Sequence, residues 1–112
     1  MMRTLLALLL ISFALNAIAG KPLTERVKHG KQVYIQSCAV CHDTGKSDAP
    51  MLSQPEQWSQ RSDLWEAALF KHANEGYGQM PGGGGNPELQ EYDVDAAAEY
   101  IMSVIFPERA TD

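Results

Sequence analysis

The strongest constraint on this chain is a five-residue segment that contains both of its cysteines. Cys38 and Cys41 are separated by two residues, and His42 follows the second cysteine directly. At this spacing two thiols on one turn can each add to a vinyl group along one edge of a porphyrin, and the next residue can bring its Nε2 to the iron. The segment Cys38-Ala39-Val40-Cys41-His42 is therefore typical of a covalent haem attachment site.

Three other uses of this segment fit the rest of the chain less well. A thioredoxin-like dithiol is expected near a βαβ pattern, and the sequence shows no strand pattern. A closed zinc site usually takes four closely spaced ligands, whereas the chain offers this cluster and two scattered histidines. A disulfide across two residues would be an unusual use of the sole cysteine pair. We therefore predict one covalent haem c, with Cys38 and Cys41 as attachment sites and His42 as an iron ligand.

The first nineteen residues have the layout of a secretory signal peptide. Arg3 gives a positive start, an apolar stretch from Leu5 to Leu15 is broken only by Ser12, and small residues precede Gly20. A retained membrane anchor is the alternative, but the apolar run is about half of the ~20 residues that span a bilayer. We expect residues 1–19 to be cleaved off after Ala19. Residues 20–112 would then form one periplasmic domain without a membrane span.

The predicted mature domain is small and acidic. Removal of 19 of the 112 residues leaves 93, and the loss of Arg3 takes the net charge from −5 to −6. An acidic balance argues against nucleic-acid binding, which normally requires a basic patch. Only five leucines remain after the signal, so the core is thin for a chain of this size, and a bound cofactor would complete it.

Apolar residues recur at helical spacing in three stretches, at residues 24–37, 63–75 and 91–105. Thr24 can cap the first helix, Ser62 or Asp63 can cap the second, and Gly76 can end the second. The Gly- and Pro-rich segment 78–87 is predicted to be neither helix nor ladder strand. We expect an all-α domain of three main helices with long loops.

Methionine is the first candidate for the second axial position of the iron. Met80 lies in the Gly- and Pro-rich loop far beyond His42, and Pro81 keeps the preceding residue extended. Met51 follows His42 closely, which leaves little chain to reach the opposite face of a haem. Met102 lies beside the apolar stripe of the third helix, where a packing role is expected. Met80 is therefore the favoured ligand.

Two histidines are alternatives for the same position. His72 continues the apolar stripe of the second helix and is the stronger of the two. His29 lies on the first helix, before the attachment segment, where a solvated side chain is expected. At this stage His72 and Met51 remain the alternatives to test if Met80 is not the ligand.

Further positions accompany the attachment segment along the chain. They are Gly30, Tyr34, Gly45, Ala49-Pro50, Trp58 with Arg61, Leu69 with Ala73 and Gly76, Met80-Pro81, Ala97 and Tyr100. With these residues the chain resembles the small monohaem class I cytochromes c, and is most similar to the bacterial branch called cytochrome c-five. The resemblance extends over residues 30–104.

The resemblance implies the class I cytochrome c fold, in which three main helices and long loops surround one covalent haem. It implies that Gly30 and Tyr34 cross the third helix near Ala97 and Tyr100. A glycine at such a crossing lets the two helix backbones approach closely.

The resemblance also implies roles close to the haem. The carbonyl of Pro50 would accept the Nδ1 hydrogen of His42, which fixes the tautomer and raises the basicity of the ring. Trp58 and Arg61 would lie near a haem propionate and offset its charge. A core tryptophan and a solvated arginine are the alternatives for this pair.

The chain departs from the family pattern at three positions. Asp48 and Ser53 stand where the family usually has glycine, and Trp65 stands where it usually has a small residue. Asp48 adds a negative charge beside the loop under the haem edge, and Trp65 adds bulk to the second helix. For this reason we transfer no family docking surface to this chain.

The function implied is that of a monomeric, soluble periplasmic electron carrier, and not of an enzyme, with no catalytic residue. Its acidic surface predicts redox partners that are membrane-associated and present a basic patch, as donor and as acceptor. A haem-based ligand sensor or a peroxidase-like enzyme is an alternative and would need an open sixth position. A haem subunit of a membrane respiratory complex is another.

Overall fold

The first and last of the described helices form the main packing contact. In the computed structural model, which describes residues 21–59 and 66–107, helix α1 runs over Lys21–Ser37. Helix α5 runs over Glu91–Ile105, and the contact between α1 and α5 is the most extensive between any two described elements. This pair forms one wall of the domain, against which the rest of the described chain is arranged.

Shorter elements lie between these two helices along the chain. They are α2 at Ala39–His42, α3 at Pro55–Ser59, α4 at Glu66–Glu75, β1 at Gly76–Tyr77 and β2 at Met80–Pro81. Two 3₁₀ segments, Lys46–Asp48 and Gly82–Gly85, complete the described elements. The predicted helical class is confirmed. Within the described residues, no helix is both long and apolar enough to cross a bilayer.

The α1–α5 crossing depends on Gly30. A Cβ added at Gly30 would lie 1.8 Å from the carbonyl oxygen of Ala96 and 3.0 Å from the nitrogen of Ala97, so the two helix backbones are in direct contact. One turn further along, the rings of Tyr34 and Tyr100 lie with their centroids 5.4 Å apart. The crossing expected from the family resemblance is therefore confirmed.

The buried apolar core of the described residues is small and contains three alanines. Its members are Val33, Tyr34, Trp58, Val94, Ala96, Ala97, Ala98, Met102 and Ile105. No large side chain among the described residues is completely enclosed. A core of this kind leaves apolar surface on α5 that faces an internal cavity, described below.

The helix ends agree with the sequence prediction, and one of the predicted N-caps does not. Helix α1 already includes Lys21, so Thr24 lies within the helix and is not its N-cap. The predicted end of α4 before Gly76 and both bounds of α5 are confirmed. The predicted caps Ser62 and Asp63 lie outside the described residues, as does the predicted signal peptide at residues 1–19.

The prediction that residues 78–87 contain no ladder strand is wrong. Tyr77 pairs with Met80 and Gly76 with Pro81 in an antiparallel hairpin. The two-residue loop begins at Gly78, whose φ of 58° lies in the region that glycine tolerates at such a position. The hairpin ties Met80 to the end of α4.

Candidate functional site

The attachment segment forms a single helical turn directly after α1. The carbonyl oxygen of Cys38 accepts hydrogen bonds from the backbone N–H groups of Cys41 at 3.2 Å and His42 at 3.0 Å. Both thiols are free and half-buried, and both line the same cavity as His42. The turn therefore brings the three residues predicted from the motif to one place.

Two contacts fix the imidazole of His42, which is buried. Its Nδ1 lies 2.7 Å from the carbonyl oxygen of Pro50. Because a carbonyl oxygen can only accept, Nδ1 carries the hydrogen, and in the neutral ring the lone pair is then on Nε2. The indole ring of Trp58 stacks on the imidazole, with centroids 5.0 Å apart and planes inclined by 27°. A neutral imidazole with a fixed Nδ1–H is the form that binds a metal through Nε2.

The indole N–H of Trp58 is directed into the loop that follows Pro50. It donates to the carbonyl oxygen of Met51 at 2.9 Å. This bond holds the loop, while the face of the ring contacts His42. Trp58 also lines the cavity, and its expected place near a haem propionate stays a prediction. Arg61, the predicted companion of Trp58, lies outside the described residues, and so does Trp65.

The cavity beside His42 has a volume of about 410 Å³, which lies within the ~300–1,000 Å³ of small-molecule and cofactor sites. Most of its lining is apolar. Helices α4 and α5 contribute Leu69, Ala73, Ala98, Ile101 and Ile105. This apolar surface is the part of the thin core that no described side chain fills.

Three of the candidate axial ligands line the cavity. Met80 reaches it from β2 and is half-buried. His72 reaches it from α4, where its ring stacks on Tyr77 with centroids 4.0 Å apart. Met102 lines it from α5 and is buried at 6% exposure, in agreement with its predicted packing role.

The other two candidates are engaged elsewhere. The side chain of Met51 lies against Gly45, since a Cβ added at that glycine would meet the Met51 sulfur at 3.1 Å. His29 contacts a carboxylate oxygen of Asp93 at 2.7 Å and stacks on Tyr92. Neither Met51 nor His29 lines the cavity.

Burial controls the protonation of two groups near the attachment segment. It raises the pKa of the Cys38 thiol to about 11, with a further contribution from Cys41, so the thiol is protonated at neutral pH before a haem is attached. Burial, and then the hydrogen bond to Asp43, raises the pKa of Tyr34 well above its ordinary value of 10. The Tyr34 hydroxyl is therefore a permanent donor to Asp43, at 2.5 Å.

Asp48 occupies an unusual backbone conformation at the edge of the cavity. Its φ is 62°, in the left-handed region that favours glycine and that aspartate tolerates better than most residues. This explains why a glycine at this position suits the family pattern. Lys46 also lines the cavity, so this edge carries one charge of each sign.

Two residues adjoin the site without a signal in the sequence. Tyr77 covers one face of His72, and the side-chain oxygen of Gln57 accepts the N–H of Met51 at 2.9 Å. Each contact joins residues from separate elements or across a turn, so neither spacing nor composition predicts it.

A protein-family model described as "Cytochrome C oxidase, cbb3-type, subunit III" matches residues 25–101. The chain belongs to the cytochrome c family. The predicted resemblance to small class I cytochromes c is confirmed, and the chain carries the covalent haem c of that family.

Named relatives agree with this assignment. Cytochrome c-555 of Chlorobaculum tepidum is 32% identical over 89 residues, which are 76% of this chain and 82% of the relative. Cytochrome c-551 of Halorhodospira halochloris is 38% identical over 69 residues, which are 62% of this chain and 84% of the relative. Both relatives are therefore matched over most of their length.

A solved structure supports the fold. It is a cytochrome c in a crystal structure of an electron transfer complex with nitrite reductase. That chain is 31% identical to this cytochrome with a TM-score of 0.63, and the match covers 69% of this chain and 94% of the other. That cytochrome c therefore takes part in electron transfer with a protein partner.

The residues at the cavity fit a covalent haem. Two free thiols on one turn, a histidine with its lone pair on Nε2 and an apolar cavity occur together, as thioether attachment and axial ligation require. Within residues 21–59 and 66–107, no group of three or more His, Cys, Asp or Glu could hold a separate metal ion.

Proposed function

We propose that this cytochrome is a periplasmic carrier of single electrons, cleaved after Ala19, in which His42 and Met80 are the axial ligands of the iron. The observation that carries the proposal is the shared cavity: Cys38, Cys41, His42 and Met80 all line it. The bound haem supplies one-electron redox chemistry, so the chain needs no catalytic residue.

The surroundings of His42 and Met80 suit a carrier because they hold both side chains in place. The Pro50 carbonyl and the Trp58 ring fix the imidazole of His42. The hairpin pair with Tyr77 fixes the backbone of Met80. Ligands held in this way favour a small structural change on electron transfer, and a His/Met pair raises the potential relative to two histidines.

The charge distribution favours partners with a basic patch. The described acidic residues Glu88 and Glu91 are exposed, whereas Asp95 accepts a hydrogen bond from Asn74 at 2.8 Å and Asp93 contacts His29. The net charge, −5 for the whole chain and −6 after loss of Arg3, attracts a basic partner at long range. The related cytochrome c in complex with nitrite reductase supports a protein redox partner.

The axial ligand is tested by optical spectroscopy of the holoprotein. Met80→Ala should abolish the weak sulfur-to-iron band at the red end of the oxidised spectrum and lower the reduction potential. Met51→Ala is the matched control, because Met51 lies against Gly45 outside the cavity, and it should keep the band. Retention of the band in Met80→Ala would overturn the assignment. His72→Ala should then be measured next.

Export and the carrier role are tested by two further measurements. The mass of the protein purified from the periplasm should equal residues 20–112 plus one haem, and a mass that includes residues 1–19 would contradict cleavage. The reduced spectrum should be unchanged on addition of carbon monoxide. An immediate change would instead favour the haem-based sensor or peroxidase-like alternative, since either needs an open sixth position.

A further inference from the structure

The peptide group between Pro50 and Met51 is hydrogen-bonded at both ends. Its carbonyl oxygen accepts the Nδ1 hydrogen of His42 at 2.7 Å, and its N–H donates to Oε1 of Gln57 at 2.9 Å. Because the backbone N–H is a donor, the Gln57 atom that faces it must be the oxygen. His42, one peptide group and Gln57 therefore form a continuous hydrogen-bonded chain.

The next peptide group is held in the same way. The carbonyl oxygen of Met51 accepts the indole N–H of Trp58 at 2.9 Å, and the N–H of Leu52 donates to the carbonyl oxygen of His42 at 2.8 Å. Gln57 and Trp58 of α3 thus each form a hydrogen bond to one of two successive peptide groups. His42 forms the second hydrogen bond of each group, through its Nδ1 to the first and through its carbonyl oxygen to the second. The loop has little freedom to turn its Pro50 carbonyl away from the imidazole.

We propose that Gln57 is a positioning residue that tunes the reduction potential through His42. Hydrogen bonds in a chain polarise one another, by about 10–30% per bond. The bond from Met51 N–H to Gln57 moves electron density to the Pro50 carbonyl oxygen, which becomes a stronger acceptor for the His42 N–H. A more electron-rich imidazole stabilises the oxidised iron, so Gln57 lowers the potential.

This inference rests on the proposed role of His42 as an axial ligand and concerns a residue outside the cavity lining. The side-chain oxygen of Gln57 accepts from the backbone N–H of Met51, whose own side chain lies outside the cavity. The effect of Gln57 must therefore travel through the peptide group.

The test is the reduction potential of the holoprotein with Gln57→Leu, which keeps the size of the side chain and removes the acceptor. We expect the equilibrium constant for reduction to rise about twofold to threefold, which at ~59 mV per tenfold is a rise of about 18–28 mV. Gln54→Leu is the matched control, because Gln54 lies directly before α3 and its side chain has no hydrogen bond to a described residue. It should leave the potential unchanged.

A second pair of variants separates polarisation from loosening of the loop. Gln57→Glu retains an acceptor and makes it stronger, so it should lower the potential. Gln54→Glu adds the same charge nearby without accepting from Met51, and it should lower the potential less. If Gln57→Leu and Gln57→Glu shift the potential in the same direction, the proposal is overturned.

The final readout is the NMR signal of the His42 Nδ1 hydrogen in the reduced, histidine-labelled protein. A weaker hydrogen bond in Gln57→Leu should move this signal upfield, and an unmoved signal would contradict the inference. Failure of the proposed function is distinguishable, because it would show in the wild-type protein as the absence of a histidine-ligated haem spectrum. A normal wild-type spectrum with an unshifted Gln57→Leu potential would reject the role of Gln57 alone.

Discussion

Replacing Gly30 with alanine tests the α1–α5 contact at its closest point. The added Cβ would lie 1.8 Å from the Ala96 oxygen, which is 1.6 Å short of the 3.4 Å at which ordinary contact begins. The atoms it meets belong to the backbone of α5 and cannot rotate away. The helices must therefore move apart, which also loosens the buried side chains Val33 and Tyr34.

The expected change in the free energy of unfolding on Gly30→Ala is the difference between two opposing effects. Overpacking of this kind typically costs about 1–3 kcal/mol, and a backbone-to-backbone clash belongs at the upper end of that range or above it. Alanine is favoured over glycine inside a helix by about 1 kcal/mol. We therefore expect Gly30→Ala to lower the free energy of unfolding by about 2 kcal/mol, or the melting temperature by about 8–16 °C for a domain of this size.

The assay is urea unfolding of the holoprotein, with Gln32 as the matched position. Gln32 is exposed on the same helix. The difference between Gln32→Ala and Gln32→Gly measures the intrinsic preference for alanine, which should be about 1 kcal/mol in favour of alanine. At Gly30 the same exchange should have the opposite sign. A Gly30→Ala protein as stable as wild type, or more stable, would refute the argument.

Other predictions concern acid stability, a buried hydrogen bond and salt. The backbone N–H of Gln90 and then the side chain of His29 lower the pKa of Asp93 below its ordinary value of 3.8. The ionised Asp93 therefore stabilises the fold above pH 3.8, and this stabilisation is lost as the pH falls through the lower pKa of the folded state. In a plot of unfolding free energy against pH, Asp93→Asn should make the decrease at acid pH less steep. An unchanged decrease would contradict this. Tyr34→Phe removes the hydrogen-bond donor to Asp43 and should lower the free energy of unfolding, measured by urea titration, by about 1–2 kcal/mol. An unaltered urea midpoint would show that this hydrogen bond contributes nothing to stability. Stopped-flow reduction by a basic partner should slow as salt rises, and a rate independent of salt would exclude long-range electrostatic attraction.

The attachment site could be predicted from the sequence because its chemistry is local. Two thiols and a histidine within five residues share one turn whatever the rest of the chain does. Helix α5 could be predicted to the residue because its apolar stripe is regular and Pro107 follows it. Thr24 was predicted as the N-cap of α1 but lies within the helix, because threonine is common at caps and is also tolerated inside helices.

Features that depend on tertiary contacts could not be predicted. The hairpin at Met80 has only two residue pairs, too few to give an alternating pattern. The bond from Met51 to Gln57 and the direction of the Trp58 N–H depend on how α3 meets the loop after Pro50. The sequence shows which residues can donate or accept a hydrogen bond. Which donor meets which acceptor depends on the three-dimensional structure.

The contact between α1 and α5 also bears on how the protein is made. A chain that is translocated with its amino terminus first delivers the thiols of Cys38 and Cys41 well before residues 91–105 emerge. Until α5 arrives, Gly30 has no helix to pack against and the cavity lacks the wall that Ala98 and Ile101 provide. Haem attachment can therefore take place while the nascent chain is still open. The later packing of α5 against α1 then encloses the haem.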